Sequence, residues 1–178
     1  MPRFSRVTIS ELFGSSDQAP TVHEKGRVLE QLACYLFECV PGIELPHRNE
    51  RNPFNAEEID VAVWNNQHRN GLPFLPYQIL IECKNWSRPV GNQEVSFFVT
   101  RLGHRGLTLG ILIAANGITG NAVELTDSHF QIANALQRGI RLIVITRQEI
   151  EDLRSVSDLV TLIKSKLLLL AVSGTSIR

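Results

Sequence analysis

Three residues on two neighbouring apolar segments have the types and spacing to do chemistry together. They are Asp60 in Glu58-Ile59-Asp60-Val61-Ala62-Val63-Trp64, and Glu82 and Lys84 in Tyr77-Gln78-Ile79-Leu80-Ile81-Glu82-Cys83-Lys84. Both segments are rich in β-branched residues. The first alternates with period two, and the Ile-Leu-Ile run of the second predicts a strand buried on both faces. Side chains alternate across a strand, so Glu82 and Lys84 share a face, roughly 6–7 Å apart, and Cys83 takes the other. If the two strands pair, Asp60 sits beside Glu82.

Two carboxylates at the end of apolar strands repel one another and resist desolvation, so either one stays protonated or a cation neutralises them. A hard divalent ion meets that need. Mg²⁺ is the usual occupant of a partial oxygen cage, with Mn²⁺ as a substitute, and the Cys83 carbonyl is placed to join Asp60 and Glu82. Lys84 beside such an ion would orient or help deprotonate a water, or stabilise charge on a phosphate. Metal, water and ammonium describe phosphodiester hydrolysis better than acyl or glycosyl transfer. The alternative is a solvated ion pair between Glu82 and Lys84, because Glu-x-Lys alone carries no specificity.

The elements that must position these groups follow from pattern. Residues 1–20 read as an arm with one short turn at most, its Phe4, Val7, Ile9, Leu12 and Phe13 available to dock on the body or a partner. Thr21 with Glu24 forms a capping-box pattern, and Leu29, Leu32, Ala33, Leu36 and Phe37 recur at helical spacing until Pro41-Gly42. A short strand over 43–46 and a polar loop over 47–55 precede the Asp60 strand, and a long proline-rich connection over 65–76 follows it. Next come a helix over 90–102, a strand over 108–115, a helix over 119–137, a strand over 140–146 and a last helix through about Leu170. Strands that start as a hairpin and then alternate with helices predict an α/β fold whose mixed sheet begins antiparallel and ends parallel.

Taken together, GRVLE on the first helix, EIDVAVW, ILIECKNW, a helix opening with NQEV and the strand GILIAANGIT resemble the PD-(D/E)xK nuclease superfamily. The nearest flavour is the Mrr-like restriction endonuclease catalytic domain, over about residues 21–150. The resemblance implies a restriction-endonuclease-like mixed β-sheet flanked by helices on both faces, with Asp60, Glu82 and Lys84 as the metal-binding and catalytic core. It further implies that Glu30 supports the metal site from the first helix and that Gln93 is the polar residue opening the helix after the strands. Ile59 stands where the superfamily motif has a proline, as is common in Mrr-like members. Glu30 could equally pair with Arg27 along the helix surface, and Gln93 could serve only capping and solvation.

Length and composition fit this picture. The chain has 178 residues, 43% hydrophobic and 20% charged, which suits one globular domain and excludes a disordered or collagen-like chain. Eighteen cations balance eighteen acids, so a uniformly basic nucleic-acid coat is excluded and a local groove is not. Fourteen of the cations are Arg, the residue suited to forked phosphate contacts. Arg48, Arg51, Arg69 and Arg88 flank the site as candidate phosphate grips, and Trp64 and Trp86 as candidate base-stacking surfaces or covers of the sheet edge. Three cysteines without CxxC spacing argue against a disulfide framework or structural zinc. The five histidines show no metal spacing, and no nucleophile elbow or phosphate-binding glycine loop is present. No segment has the pattern of a secretory signal or a membrane span, so the expected setting is the cytoplasm.

The expectation is an Mg²⁺-dependent DNA endonuclease made of an arm (1–20), a catalytic core (21–150) and a C-terminal helix and tail (151–178). A homodimer or specificity-giving partner would supply the second strand cut. The rival is a nuclease-fold protein that has lost the reaction and binds nucleic acid or scaffolds.

Overall fold

The structure, a computed structural model, describes residues 2–51 and 58–177, and side chains within these except at 46–51 and 58. Five strands, β1 (Ile43–Arg51), β2 (Glu58–Asn65), β3 (Gln78–Lys84), β4 (Leu109–Ala114) and β5 (Arg141–Ile145), lie side by side in chain order. The β1–β2 and β2–β3 pairs are antiparallel, whereas β3–β4 and β4–β5 are parallel. Every residue of β4 is buried, as are Ile79–Cys83 of β3. That is the burial expected of parallel strands covered on both faces.

Six helices supply the cover: α1 (Arg6–Gln18), α2 (Val22–Glu38), α3 (Asn92–His104), α4 (Asp127–Gln137), α5 (Arg147–Asp152) and α6 (Val156–Ser173). One core gathers Phe13 of α1, Leu29 and Phe37 of α2, Ile150 of α5 and Ile163 of α6 against Ile81, Ile111 and Ile143 of the sheet. The opposite core gathers Phe98 and Leu102 of α3 and Ile132 of α4 against Leu80, Leu112 and Val144. Thr21 and Glu24 form the expected reciprocal cap of α2, which sets where the α2 stripe begins.

Four elements differ from the sequence expectation. Residues 6–18 form a three-turn helix rather than a single turn: Ser5 caps it by accepting from Thr8 N–H, and Ile9, Phe13 and Ser16 are buried. The segment expected as a loop from 47 continues β1 to Arg51. The side chains of Arg48 and Arg51 lie outside the described set, as do residues 52–57 entirely. The expected helix over 119–137 exists only from Asp127. Before it, Asn121 Oδ1 accepts from the N–H groups of Val123 and Glu124, and Thr126 Oγ1 accepts from Asn121 N–H. These side chains hold the turn that a helix would otherwise absorb. The final helix is two: α5 is capped by Thr146 with Glu149, and α6 by Ser155. The break pairs with the chain's beginning, Phe4 N–H donating to Arg154 O and Val156 N–H to Pro2 O.

Two details fix the positions that matter for the site. Gly110 of β4 lets α3 approach: a Cβ there would lie 2.5 Å from Leu102 Cδ1 and 3.1 Å from the Phe98 ring. At the outer edge, the tail turns at Gly174, whose φ of 75° suits a residue without Cβ. Ser176 Oγ then accepts from Val144 N–H at 3.0 Å on the free side of β5.

Gly110→Ala is expected to lower stability by ~1–3 kcal/mol through overpacking beneath α3, measured by urea unfolding. An unchanged midpoint would show that α3 is not seated by this notch.

Candidate active site

Pairing between β2 and β3 runs from Trp64↔Gln78 to Val61↔Ile81 and stops there. The next amide on β3, Cys83 N–H, donates to Asp60 Oδ2 at 2.7 Å, so the carboxylate meets a donor that the ladder no longer serves. Where the strands part, alternation along β2 also lapses. Ile59 packs with Ala62 on the α3 side, and Asp60 turns to cavities shared with α2. One, of about 160 Å³, is lined by His23, Glu30, Asp60, Cys83, Lys84 and Trp86, among others. Another, of about 450 Å³, includes Arg27, Glu30, Cys34 and Asp60.

Glu82 lies on the opposite face, buried, with Lys84 Nζ 2.7 Å from Oε1 and Arg101 Nη1 2.6 Å from Oε2. Lys84 is the hinge of the arrangement. It ion-pairs with Glu82, lines the smaller cavity with Asp60, and stands 6.0 Å from the Trp86 ring centroid. Burial draws the Lys84 ammonium down, but the charges of Glu82 and Asp60 outweigh it, so its pKa lies above the ordinary lysine value. Burial pushes the Asp60 carboxyl up to about 7, and the charges of Glu82 and Glu30 push in the same direction. The Cys83 amide and Lys84 resist. The end of β3 thus holds a carboxyl with too little positive charge beside it and an ammonium that stays charged.

The structure therefore brings Asp60, Glu30, Cys83 and Lys84 to one cavity and attaches Glu82 to them through Lys84. Cys83 contributes backbone here, because burial holds its thiol well above the usual range. Gln93 is exposed, in the first turn of α3, and lines neither cavity. Arg88 stacks its guanidinium 4.9 Å over Trp86, whereas Arg69 is simply exposed. Among the described residues, no three acidic, histidine or cysteine side chains are gathered closely enough to hold an ion as they stand. The donor chemistry on the α2 side nevertheless suits a hard divalent cation, since the carboxylates of Asp60 and Glu30 line both cavities and Asp60 is short of compensating charge. Glu82 instead faces the other layer, with Lys84 and Arg101 on its two oxygens.

Sequence reasoning missed two participants. Arg101, the second cation on Glu82, reads in sequence as one more solvated helix charge. Asn85 directly follows β3; its amide donates to Ser16 Oγ and to Lys25 O, tying the end of the strand to α1 and α2. Ser16 lies 69 residues away, and no local pattern announces such a contact.

The family model for the Mrr catalytic domain, described as a restriction endonuclease, matches residues 25–154. That span includes the whole sheet and every residue placed at the site except His23 and Ser16. No curated protein matches the chain.

The Asp60 shift has a sign that can be measured. The unfolded carboxyl titrates near 3.8 and the folded one near 7, so between those values the folded protein keeps a proton that the unfolded chain has lost. Stability then falls as pH rises across that window. Asp60→Asn removes the titration and retains an acceptor for Cys83 N–H. The variant is expected to match the wild-type melting temperature near about pH 4 and to exceed it near about pH 8, by an amount on the order of a few kcal/mol in stability. A melting difference independent of pH would refute the shifted carboxyl.

Proposed function

The chain belongs to the Mrr-like restriction endonuclease family of PD-(D/E)xK nucleases, and from that premise we propose that it is a divalent-metal-dependent endonuclease hydrolysing DNA phosphodiester bonds at the end of β3. The observation that carries this reading is the under-neutralised Asp60 carboxyl, about 7, facing a permanently charged Lys84 across one small cavity. A carboxyl raised by burial and like charge, in a cleft beside a fixed cation, is the kind of group that marks a functional site.

Asp60 and Glu82 would hold the ion, with the Cys83 carbonyl and Glu30 beside them, and Mg²⁺ or Mn²⁺ there would supply Lewis-acid stabilisation of phosphate charge and a more acidic water. Lys84, held as an ammonium, acts as donor and charge on the phosphate and does not take a proton from water near neutral pH. This narrows the roles open to it from sequence alone. Arg101 orients Glu82 through its contact with Oε2. Gln93 is at the mouth of α3, a place from which it would touch substrate rather than the ion. The catalytic unit is 21–150, with 1–20 and 151–178 as its structural cover. A single site cuts one strand, so double-strand scission would take a second copy or another protein. The setting is the cytoplasm; no helix among the described residues is long and apolar enough to cross a membrane.

A second reading, a nuclease-fold protein that binds or scaffolds without cutting, draws on Glu82 being occupied by Lys84 and Arg101. Two measurements separate the readings. Calorimetric Mn²⁺ binding is expected for the wild type, absent in Asp60→Ala, and weaker below about pH 6 than above about pH 8, because the ion must displace the Asp60 proton. Cleavage of plasmid, single-stranded DNA and RNA with and without Mg²⁺ is expected to be metal-dependent, strongest on DNA, and reduced by about 100-fold or more in Lys84→Ala. Metal binding without cleavage of any substrate would favour the scaffold.

A further inference from the structure

Farther down the α3-side face of β3 lies a third cavity, of about 330 Å³, lined by Ala62, Trp64, Gln78, Leu80, Arg105 and Leu107 among others. Leu80 is two residues, about 7 Å, from Glu82 along the same strand face, and Arg105 follows Arg101 by one turn, about 6 Å, at the end of α3. Among the described residues, no carboxylate lines the cavity. At its rim the Trp64 and Tyr77 rings stack, with centroids 5.9 Å apart and planes 23° from parallel, yet Trp64 remains 40% exposed and Tyr77 55%.

Exposed aromatics are commonly mobile, but this pair is held. Trp64 Nε1–H donates to Asn66 Oδ1 at 3.0 Å, and Asn65 N–H donates to Tyr77 O at 2.7 Å. The fully buried Asn65 amide donates to the carbonyls of Leu72, Leu75 and Pro76, and its oxygen accepts from Gln67 N–H. A buried amide spent on one loop stiffens the platform that carries both rings, which lowers the ordering cost of a ligand stacked there. The cavity offers an apolar floor, a flat aromatic wall, an amide able to donate and accept, and a guanidinium, all in line with the cations of the catalytic end.

We propose that this cavity is a nucleobase subsite, which takes an unpaired base of the bound DNA strand against the Trp64–Tyr77 pair while Gln78 meets the base edge and Arg105 the adjoining phosphate. Stacking accepts any base, since every base has a π-face, so the subsite would orient the strand and admit locally opened or single-stranded DNA without reading sequence. The proposal rests on the nuclease reading for its place beside the cleaved bond, but binding at the subsite needs no cleavage.

The test uses the full chain with Trp86→Phe, which leaves Trp64 as the one tryptophan, because the sequence has two. A short single-stranded oligothymidine is titrated in EDTA, and Trp64 emission is followed. Saturable quenching is expected. The same backbone made abasic should bind about tenfold more weakly without quenching, and Tyr77→Ala or Arg105→Ala in that background should weaken binding by a similar factor. The abasic arm needs no further substitution, so a variant that misfolds does not decide the matter. Unchanged emission, or equal affinity for the abasic strand, overturns the subsite, and the aromatic pair is then a protein-facing surface. Metal-dependent plasmid cleavage alongside unchanged emission leaves the nuclease reading standing and removes only the subsite. Quenching with no cleavage of any substrate by the unsubstituted chain supports the subsite and removes the nuclease reading.

Discussion

The charge at the end of β3 does not balance group by group, and much of the surrounding structure follows from how that imbalance is contained. Glu82 is buried between Lys84 and Arg101, so its own charge is compensated, while Asp60 a short distance away has one backbone donor and a share of Lys84. A carboxyl in that position costs stability whenever it ionises. The fold tolerates it because both cores grip the strand that carries the site: β3 is buried on both faces, β4 pairs alongside in register from Leu80↔Gly110 to Lys84↔Ala114, and α3 is pressed onto β4 at Gly110. Strain is thereby confined to a strand end rather than spread into the sheet.

Much of this arrangement was readable in the chain. Alternation over 61–64 and the Ile-Leu-Ile run of 79–81 are local signals that survive in the structure, so the antiparallel start and the parallel finish follow from them, whereas Asp60 and Glu82 end on opposite faces instead of side by side. The capping pair Thr21–Glu24 is equally local, and it forms as expected. What was hidden depends on tertiary contact. Asp60 leaves the face that period two assigns it because pairing ends at Val61. Arg101 becomes a partner of Glu82 only through the roll and depth of α3. α1 forms because Ile9 and Phe13 find a core built mainly by residues beyond 29, and the amide of Asn85 locks its last turn. Two helices were misjudged for the same reason: Asn121 and Ser155 favour turn and cap geometry, and periodic apolar residues on either side conceal the interruption.

The ionisation states also bear on how the chemistry is divided. An ammonium kept protonated by its neighbours and a carboxyl poised near neutrality are opposite outcomes of one crowded environment, and they give the two groups different duties. The acid is the group poised to change state near neutral pH, whereas the amine is insensitive to pH over the physiological range. Lys84 lines the cavity that Asp60 enters but gives its short ion pair to Glu82, so the two states coexist.

The seal on β5 reaches beyond edge protection. With Ser176 occupying the Val144 amide and α6 packed alongside, lateral growth of the sheet is closed on that flank. A strand added on that flank would first have to displace the tail from the Val144 amide.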